Sequence, residues 1–425
     1  MKFSIRNRGI LAAAILAGLF TPAVVHATNG YLVNGYGLKA QSLAGVGIAF
    51  PQDALAGANN PAGTAWVGDR IDFGVSWFMP RRGAAITGNA VPGASDSYDG
   101  NNKKHFLIPE FGYAKQLSNA TSVGLAVYGY GGLNIDYARN PFAAFGSQGS
   151  AGVNLLQLSI SPSAAWKPNE QHAFGAAANF IYQRFKARGL SAFDNPFFSA
   201  YPGSVNDRGV DTATGVGLRL GWIGQMTPEL MLGATWVSKV STTEFDKYKG
   251  LLAGAGNFDV PQTYGIGLAY KITPALTFAT DIQEIKYGSV RGIAHPLSNF
   301  TVLGNQLGSP NGGGFGWKDI TAAKFGISYA YSKDLTLRGG YSHNGNPIPA
   351  DQNFFNIAAP AVVQDHLTLG ATWKTGSGAE LSATYIRAPR NTVNGKNSIP
   401  AAFGGGEANV YLEEHILGIA YGWKM

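Results

Sequence analysis

The chain has 425 residues, 45% of them hydrophobic and only 13% charged, a balance that excludes a disordered polymer and suffices for a large folded body. It contains no cysteine, which excludes disulfide frameworks and thiol chemistry and suits a protein that crosses an oxidising compartment before folding. The formal net charge of +7 falls to +4 once Lys2, Arg6 and Arg8 are assigned to a leader, and the remaining cations are scattered, so no nucleic-acid partner is expected.

Residues 1 to 27 have the three parts of a secretory signal: those cations, the apolar run from Ile10 to Phe20, and the small residues of Val25-His26-Ala27. The run is too short to span a bilayer, so cleavage near Ala27 is expected, with Thr28 opening the mature chain. Beyond it no unbroken apolar stretch of about 18 residues occurs, which excludes a helical membrane protein and leaves a barrel open.

Residues 28 to 69 are rich in glycine and alanine, lack long alternation, and have too little bulk for a core of their own. They are expected to form an irregular plug with short helices at 38–44 and 51–57, lying inside a barrel or at its periplasmic mouth.

From residue 70 to 425 about fourteen segments alternate with period two. In the clearest, residues 410–423, Leu417, Ile419, Tyr421 and Trp423 share one face while Ile416, Gly418, Ala420 and Gly422 share the other. Val216, Leu218 and Leu220 repeat the pattern against Gly217, Arg219 and Gly221, as do Leu367, Leu369 and Trp373 against His366, Thr368, Gly370 and Thr372. No helical layer covers the greasy face, so lipid is its expected partner, and a sheet in lipid must close on itself. Tight turns near 118, 168, 227, 273, 333 and 376 alternate with long connections near 81–103, 131–155, 189–211, 243–259, 290–318, 346–362 and 389–409. That is the outer-membrane pattern of short periplasmic turns and long external loops. Arg184, Lys186 and Arg188 share the parity of Phe174, Phe180 and Tyr182, which sets them above the apolar band, against lipopolysaccharide phosphates or as solvated loop-base charges.

Three stretches carry a family resemblance: NGYLVNGYGLKAQSLAGVGIAFPQDALAGANNPAG at 29–63, YGYGGLNIDY at 128–137 and GNFDVPQTYGIGLAYKITP at 256–274. Together with the strands they make the mature chain resemble the FadL/TodX family of outer-membrane transporters for hydrophobic molecules. The resemblance implies a fourteen-stranded antiparallel barrel over 70–425, closed by an N-terminal hatch over 28–69. It implies gating by an Asn-Pro-Ala element, matched by Asn60, Pro61 and Ala62, and a kinked third strand that opens the wall, matched by Gly129, Gly131 and Gly132, since glycine permits bulges. It also implies an external capture groove, to which Phe197, Phe198, Tyr248, Leu251 and Leu252 are suited as apolar residues in loops. Where fatty-acid members hold an arginine for the ligand carboxylate, an ungapped reading places Gly189, one past Arg188, which shifts weight toward neutral hydrocarbons. Arg188, Arg219 and Arg338 are the candidate carboxylate anchors, the last two balanced against pairing with the interior acids Asp281 and Glu110.

The expected function is passive uptake of hydrophobic small molecules, aromatic or aliphatic hydrocarbons or long-chain fatty acids, with hatch movement and lateral release. Alternatives are a general diffusion porin and an outer-membrane hydrolase. Neither a metal-binding spacing nor a nucleophile elbow nor a P-loop is present, so no enzyme activity, metal or cofactor is expected; His366 and Asp365 are adjacent and face opposite ways. Expected partners are the ligand, outer-membrane lipid and lipopolysaccharide, and the barrel-assembly machinery, with the chain a monomer.

Overall fold

The computed structural model describes residues 28–425; the leader and the cleavage expected near Ala27 lie outside the described residues. Fourteen antiparallel strands form a closed barrel. They are β1 Arg70–Thr87, β2 Phe106–Gln116, β3 Thr121–Tyr137, β4 Ala151–Trp166, β5 His172–Arg188, β6 Asp211–Gln225 and β7 Leu230–Val237. The second half comprises β8 Thr263–Thr273, β9 Leu276–Ile285, β10 Ile320–Ala330, β11 Leu335–Asn344, β12 Asp365–Lys374, β13 Glu380–Val393 and β14 Glu407–Lys424. Each pairs with its neighbour in sequence, and β14 pairs with β1 from Glu407↔Thr87 to Lys424↔Arg70, so the sheet closes without a free edge strand.

Alternation fixes which side faces out. Ile266 and Leu369 are 62% and 65% exposed, whereas His366 and Thr368 on the opposite face of β12 are 0% and 3% exposed. The large apolar side chains therefore coat the outside, and the small and polar ones line the lumen.

Several strands run further than their apolar stretches. β1 continues through Arg81 and Arg82 to Thr87 and meets Asp96–Asp99, from Gly83↔Asp99 to Ile86↔Asp96, within the expected 81–103 loop. Arg82 does not end the strand because its guanidinium is buried against carbonyls: Nε donates to Asn134 O (2.7 Å) and Nη2 to Lys103 O (2.7 Å). β3 and β4 likewise reach Tyr137 and start at Ala151, shortening the expected 131–155 loop to 138–150.

Residues 28–69 pack inside the barrel. Their helical turns are Leu38–Gln41 and Ala56–Asn59, followed by a 3-10 turn at Pro61–Ala65. The second begins later than the 51–57 expected, because Asp53 Oδ1 accepts from Leu55 N (3.0 Å) and makes a local turn where a helix would otherwise start. The plug fills the space in front of the small lumenal residues. At Gly340 a Cβ would stand 2.5 Å from the Leu43 carbonyl carbon, while at Gly339, on the outer face, its nearest neighbour would be Leu369 Cδ2 at 3.6 Å.

Candidate ligand-binding site

Five of the long connections and two strands converge on one apolar cavity. Phe142 comes from loop 138–150, Leu190 and Phe193 from 189–210, Leu251 and Leu252 from 238–262, Leu307 and Phe315 from 286–319, and Phe355 and Ala358 from 345–364. Val153 of β4 and Phe185 of β5 complete it around about 570 Å³ of atom-free space, mouth included. Every lining side chain is apolar or glycine. Such a space suits an apolar molecule and offers a charged group no partner.

The cavity's apolar cluster runs on to Tyr31 and Leu32 of the plug. Tyr31 touches Phe258, Tyr287 and Trp317, at ring separations of 5.7, 5.2 and 5.9 Å. The Tyr287 hydroxyl accepts from the backbone N–H of Tyr31 and of Leu32 (both 3.2 Å) and donates to Asn29 O. Tyr287 and Trp317 belong to the same loop as Leu307 and Phe315, so one loop touches both cavity and plug.

Below this contact the plug is held by polar groups of the wall. Asp281 Oδ2 accepts from Gly47 N (2.8 Å) and Ile48 N (3.1 Å), Glu110 Oε1 from Leu38 N (3.0 Å), and Asp72 Oδ2 from Ala54 N (2.8 Å). Lys39 of the plug meets Glu380, which also binds Arg70 at 2.9 Å. Asn60 bridges plug and wall, its Nδ2 donating to Ile48 O (2.9 Å), Trp222 O (3.0 Å) and Ala234 O (3.2 Å), while its Oδ1 accepts from Ala62 N (3.1 Å) and caps the turn that Pro61 starts.

The third strand leaves the wall. Its ladder to β2 stops at Phe111↔Val127 although β2 continues to Phe106, and its register to β4 slips between Gly129 and Gly131. Past the bulge β3 takes a partner from the plug instead: Leu32 pairs with Gly131, and Gly132 N donates to Tyr31 O (2.9 Å). A Cβ at Gly131 would stand 2.6 Å from Tyr31 O, so only glycine admits this approach. Farther out the seam recloses where Asp136 N donates to Gly100 O (3.1 Å). The segment of wall between 106–110 and 128–132 thus has no ladder, and Phe106 and Ile108 stand there in an apolar cluster against which Leu156 packs.

A family model described as outer membrane protein transport protein (OMPP1/FadL/TodX) matches residues 24–423. The chain belongs to this family. FadL/TodX members are outer-membrane β-barrel transporters of hydrophobic compounds, and this chain is a transporter of that family. Among solved structures it is similar in fold to the Pseudomonas putida toluene transporter TodX, with a TM-score of 0.68 at 17% identity over 94% of this chain and 100% of that one. A Pseudomonas aeruginosa FadL homologue gives 0.68 at 15% identity over 93% and 99%, and the Ralstonia pickettii toluene transporter TbuX 0.63 at 19% over 92% and 99%. No curated protein sequence matches the chain.

In this FadL/TodX chain the residues singled out from sequence fall into three groups. Leu251 and Leu252 line the cavity. Tyr248 is buried beside it with its ring against Phe185 (4.9 Å) and its hydroxyl donating to Gly209 O (2.6 Å); Phe198 packs on Phe193 and Phe300, and Phe197 projects outward, 81% exposed. The three arginines are all engaged away from the cavity. Arg188 binds Asp136 (2.6 Å) on the outer side of β5, and Lys186 nearby meets Asp207 (3.5 Å), which favours the solvated loop-base reading of those charges. Arg219 donates to the carbonyls of Ala58 and Asn59 and lies 5.6 Å from the Tyr36 ring; Arg338 donates to Gln52 Oε1 and Thr372 Oγ1, both 2.7 Å. The interior acids that were their expected partners hold plug amides instead.

Sequence reasoning did not assign Phe142, Leu307, Phe315, Phe355 or Ala358 to the site. Their signal was apolar residues concentrated in loops, the same that marked Phe198 and Leu252, but three of those loops were read only as connections. Asp365, bound by Tyr341 (2.6 Å) and His343 (2.8 Å), and His366, buried in the lumen, do face opposite ways. Among the described residues no three metal-ligating side chains gather.

Proposed function

We propose that this chain carries neutral hydrophobic molecules, aromatic or aliphatic hydrocarbons in preference to fatty acids, passively across the outer membrane. The observation that supports this most is the cavity lining, which has no charged or hydrogen-bonding side chain, while Arg188, Arg219 and Arg338 are all engaged elsewhere. Burial at about 25 cal/mol per Å² of apolar surface draws the molecule in. Its presence displaces the loop that carries Tyr287, loosening Tyr31 and Leu32 from β3, and the molecule leaves sideways between β2 and β3 into lipid. Occupancy must favour the loosened plug for this to work, because equal affinity for both states would shift nothing.

The test is displacement of a neutral apolar fluorophore from the purified protein by an aliphatic acid and by its methyl ester. The ester is expected to compete at least tenfold more strongly, and Leu252→Asp to abolish both. Tighter binding of the acid would overturn the preference for neutral ligands. For release, Leu156→Trp should fill the gap beside Phe106, leaving fluorophore binding intact and lowering uptake by cells. Free passage of sugars in liposome swelling, indifferent to apolar solutes, would instead support a diffusion porin.

A further inference from the structure

We infer that the outer face of β13, β14 and β1 holds a binding site for the phosphate groups of a phosphorylated glycolipid of the outer leaflet. The outward column of β14 is apolar from Trp423 through Tyr421 and Ile419 to Leu417 and then turns polar at His415 and Glu413. Neighbouring columns change at the same height: Trp77 and Met79 of β1 give way to Arg81, and Tyr385 of β13 to Arg387. Register places Arg387 opposite His415 and Arg81 opposite Glu413. Glu413 lies about ten residues from Trp423, the reach of one tilted strand across the apolar band, so this row sits at the band's outer edge.

A bulge adds a third arginine. The β13 register to β14 shifts between Ala388 and Asn391, which sets Pro389 and Arg390 against Glu413 on the side away from Arg81. Arg390 is exposed and lies 3.7 Å from the centroid of the Tyr411 ring, so the bulge aims it outward beside the other two.

The cluster is cationic in excess. Its one carboxylate, Glu413, contacts Arg387 at 3.5 Å and His415 at 3.2 Å, and among the described residues the Arg81 side chain has neither an ion pair nor a hydrogen bond. Lys186 and Arg188 of β5 differ, since each meets an aspartate. Arg387 and Arg390 on β13 and Arg81 on β1 flank β14, about 10 Å apart across it; their guanidinium forks suit the phosphate groups of one headgroup laid over β14, and the apolar column below offers a surface to acyl chains. Inorganic phosphate shares the first contact and lacks the second.

The experiment uses the mature protein in detergent, native mass spectrometry, and diphosphoryl lipid A as probe. Wild type and the control Lys186→Ala/Arg188→Ala are expected to hold one lipid A, and Arg81→Ala/Arg387→Ala/Arg390→Ala to lose at least tenfold in occupancy. Arg81→Ala alone, which removes a side chain without protein partners, should fold normally and lose several-fold. Dephosphorylated lipid A should fail to bind, and millimolar inorganic phosphate should fail to displace the lipid. Equal retention by wild type and by Arg81→Ala and the triple variant, or full displacement by inorganic phosphate, would overturn the proposal.

Discussion

Between the external loops the interior is lined by Phe142, Phe193, Leu252, Phe315 and their neighbours; where the plug meets β6, β9 and β10, a second space of about 450 Å³ is lined by Tyr36, Asn59, Arg219, Asp281, Gln283 and Lys324. The first holds its shape by dispersion and area, which are non-directional, so side chains can exchange one neighbour for another at small cost. The second is set by hydrogen bonds from buried charges, which are satisfied in one arrangement only. A lumen built this way can yield to an apolar guest at one end while the plug keeps its register at the other.

The largest test of that contrast is Asp281→Ala. It strips Gly47 N and Ile48 N of their acceptor and leaves Lys324, its cross-strand neighbour, as a buried cation without its opposite charge. A loss of about 3–5 kcal/mol is expected, read as a lower temperature for the heat-dependent gel shift of the folded barrel. A variant melting with wild type would show that the charged seam does not hold the plug.

A paired glycine experiment sharpens the geometry. Gly340→Ala drives a methyl into the Leu43–Ala44 backbone and should cost about 1–3 kcal/mol. Gly339→Ala, one residue away on the outer face, should be neutral or slightly stabilising. Equal effects in chemical denaturation would contradict the assignment of faces.

Tyr287→Phe probes the point where the two regions meet. Removing the hydroxyl leaves the Tyr31 and Leu32 amides without an acceptor, at a cost of about 1–3 kcal/mol. Hydrogen exchange at those two amides should accelerate at least tenfold while the amide of Ile48 keeps its rate. Uniform acceleration would mean that plug and loop open as a single unit. The smallest effect belongs to Phe197→Ser, which should change stability by no more than about 0.5 kcal/mol and slow only the capture of apolar ligand.

The barrel was legible because a strand's facing follows from period two: Leu417, Ile419 and Tyr421 had to lie together wherever the strand sat. Strand ends were less legible, since Arg82 broke the apolar pattern and only its carbonyl partners, distant in sequence, explain why the strand continues. The plug was recognisable by composition and by family resemblance, yet the start of its second helical turn depended on one Asp53 hydrogen bond.

The sequence by itself determined the outward face and the alternation of short and long connections, because both are local patterns of size and polarity; the glycines of the third strand and the two leucines of the cavity were marked by the family resemblance. Tertiary structure alone decided which arginines are already engaged, that Asp281 and Glu110 bind plug amides rather than those arginines, and which loops share one apolar space. Those outcomes rest on contacts between residues dozens to hundreds of positions apart, such as Glu110 with Leu38 and Asp281 with Gly47, and no local periodicity encodes such a contact.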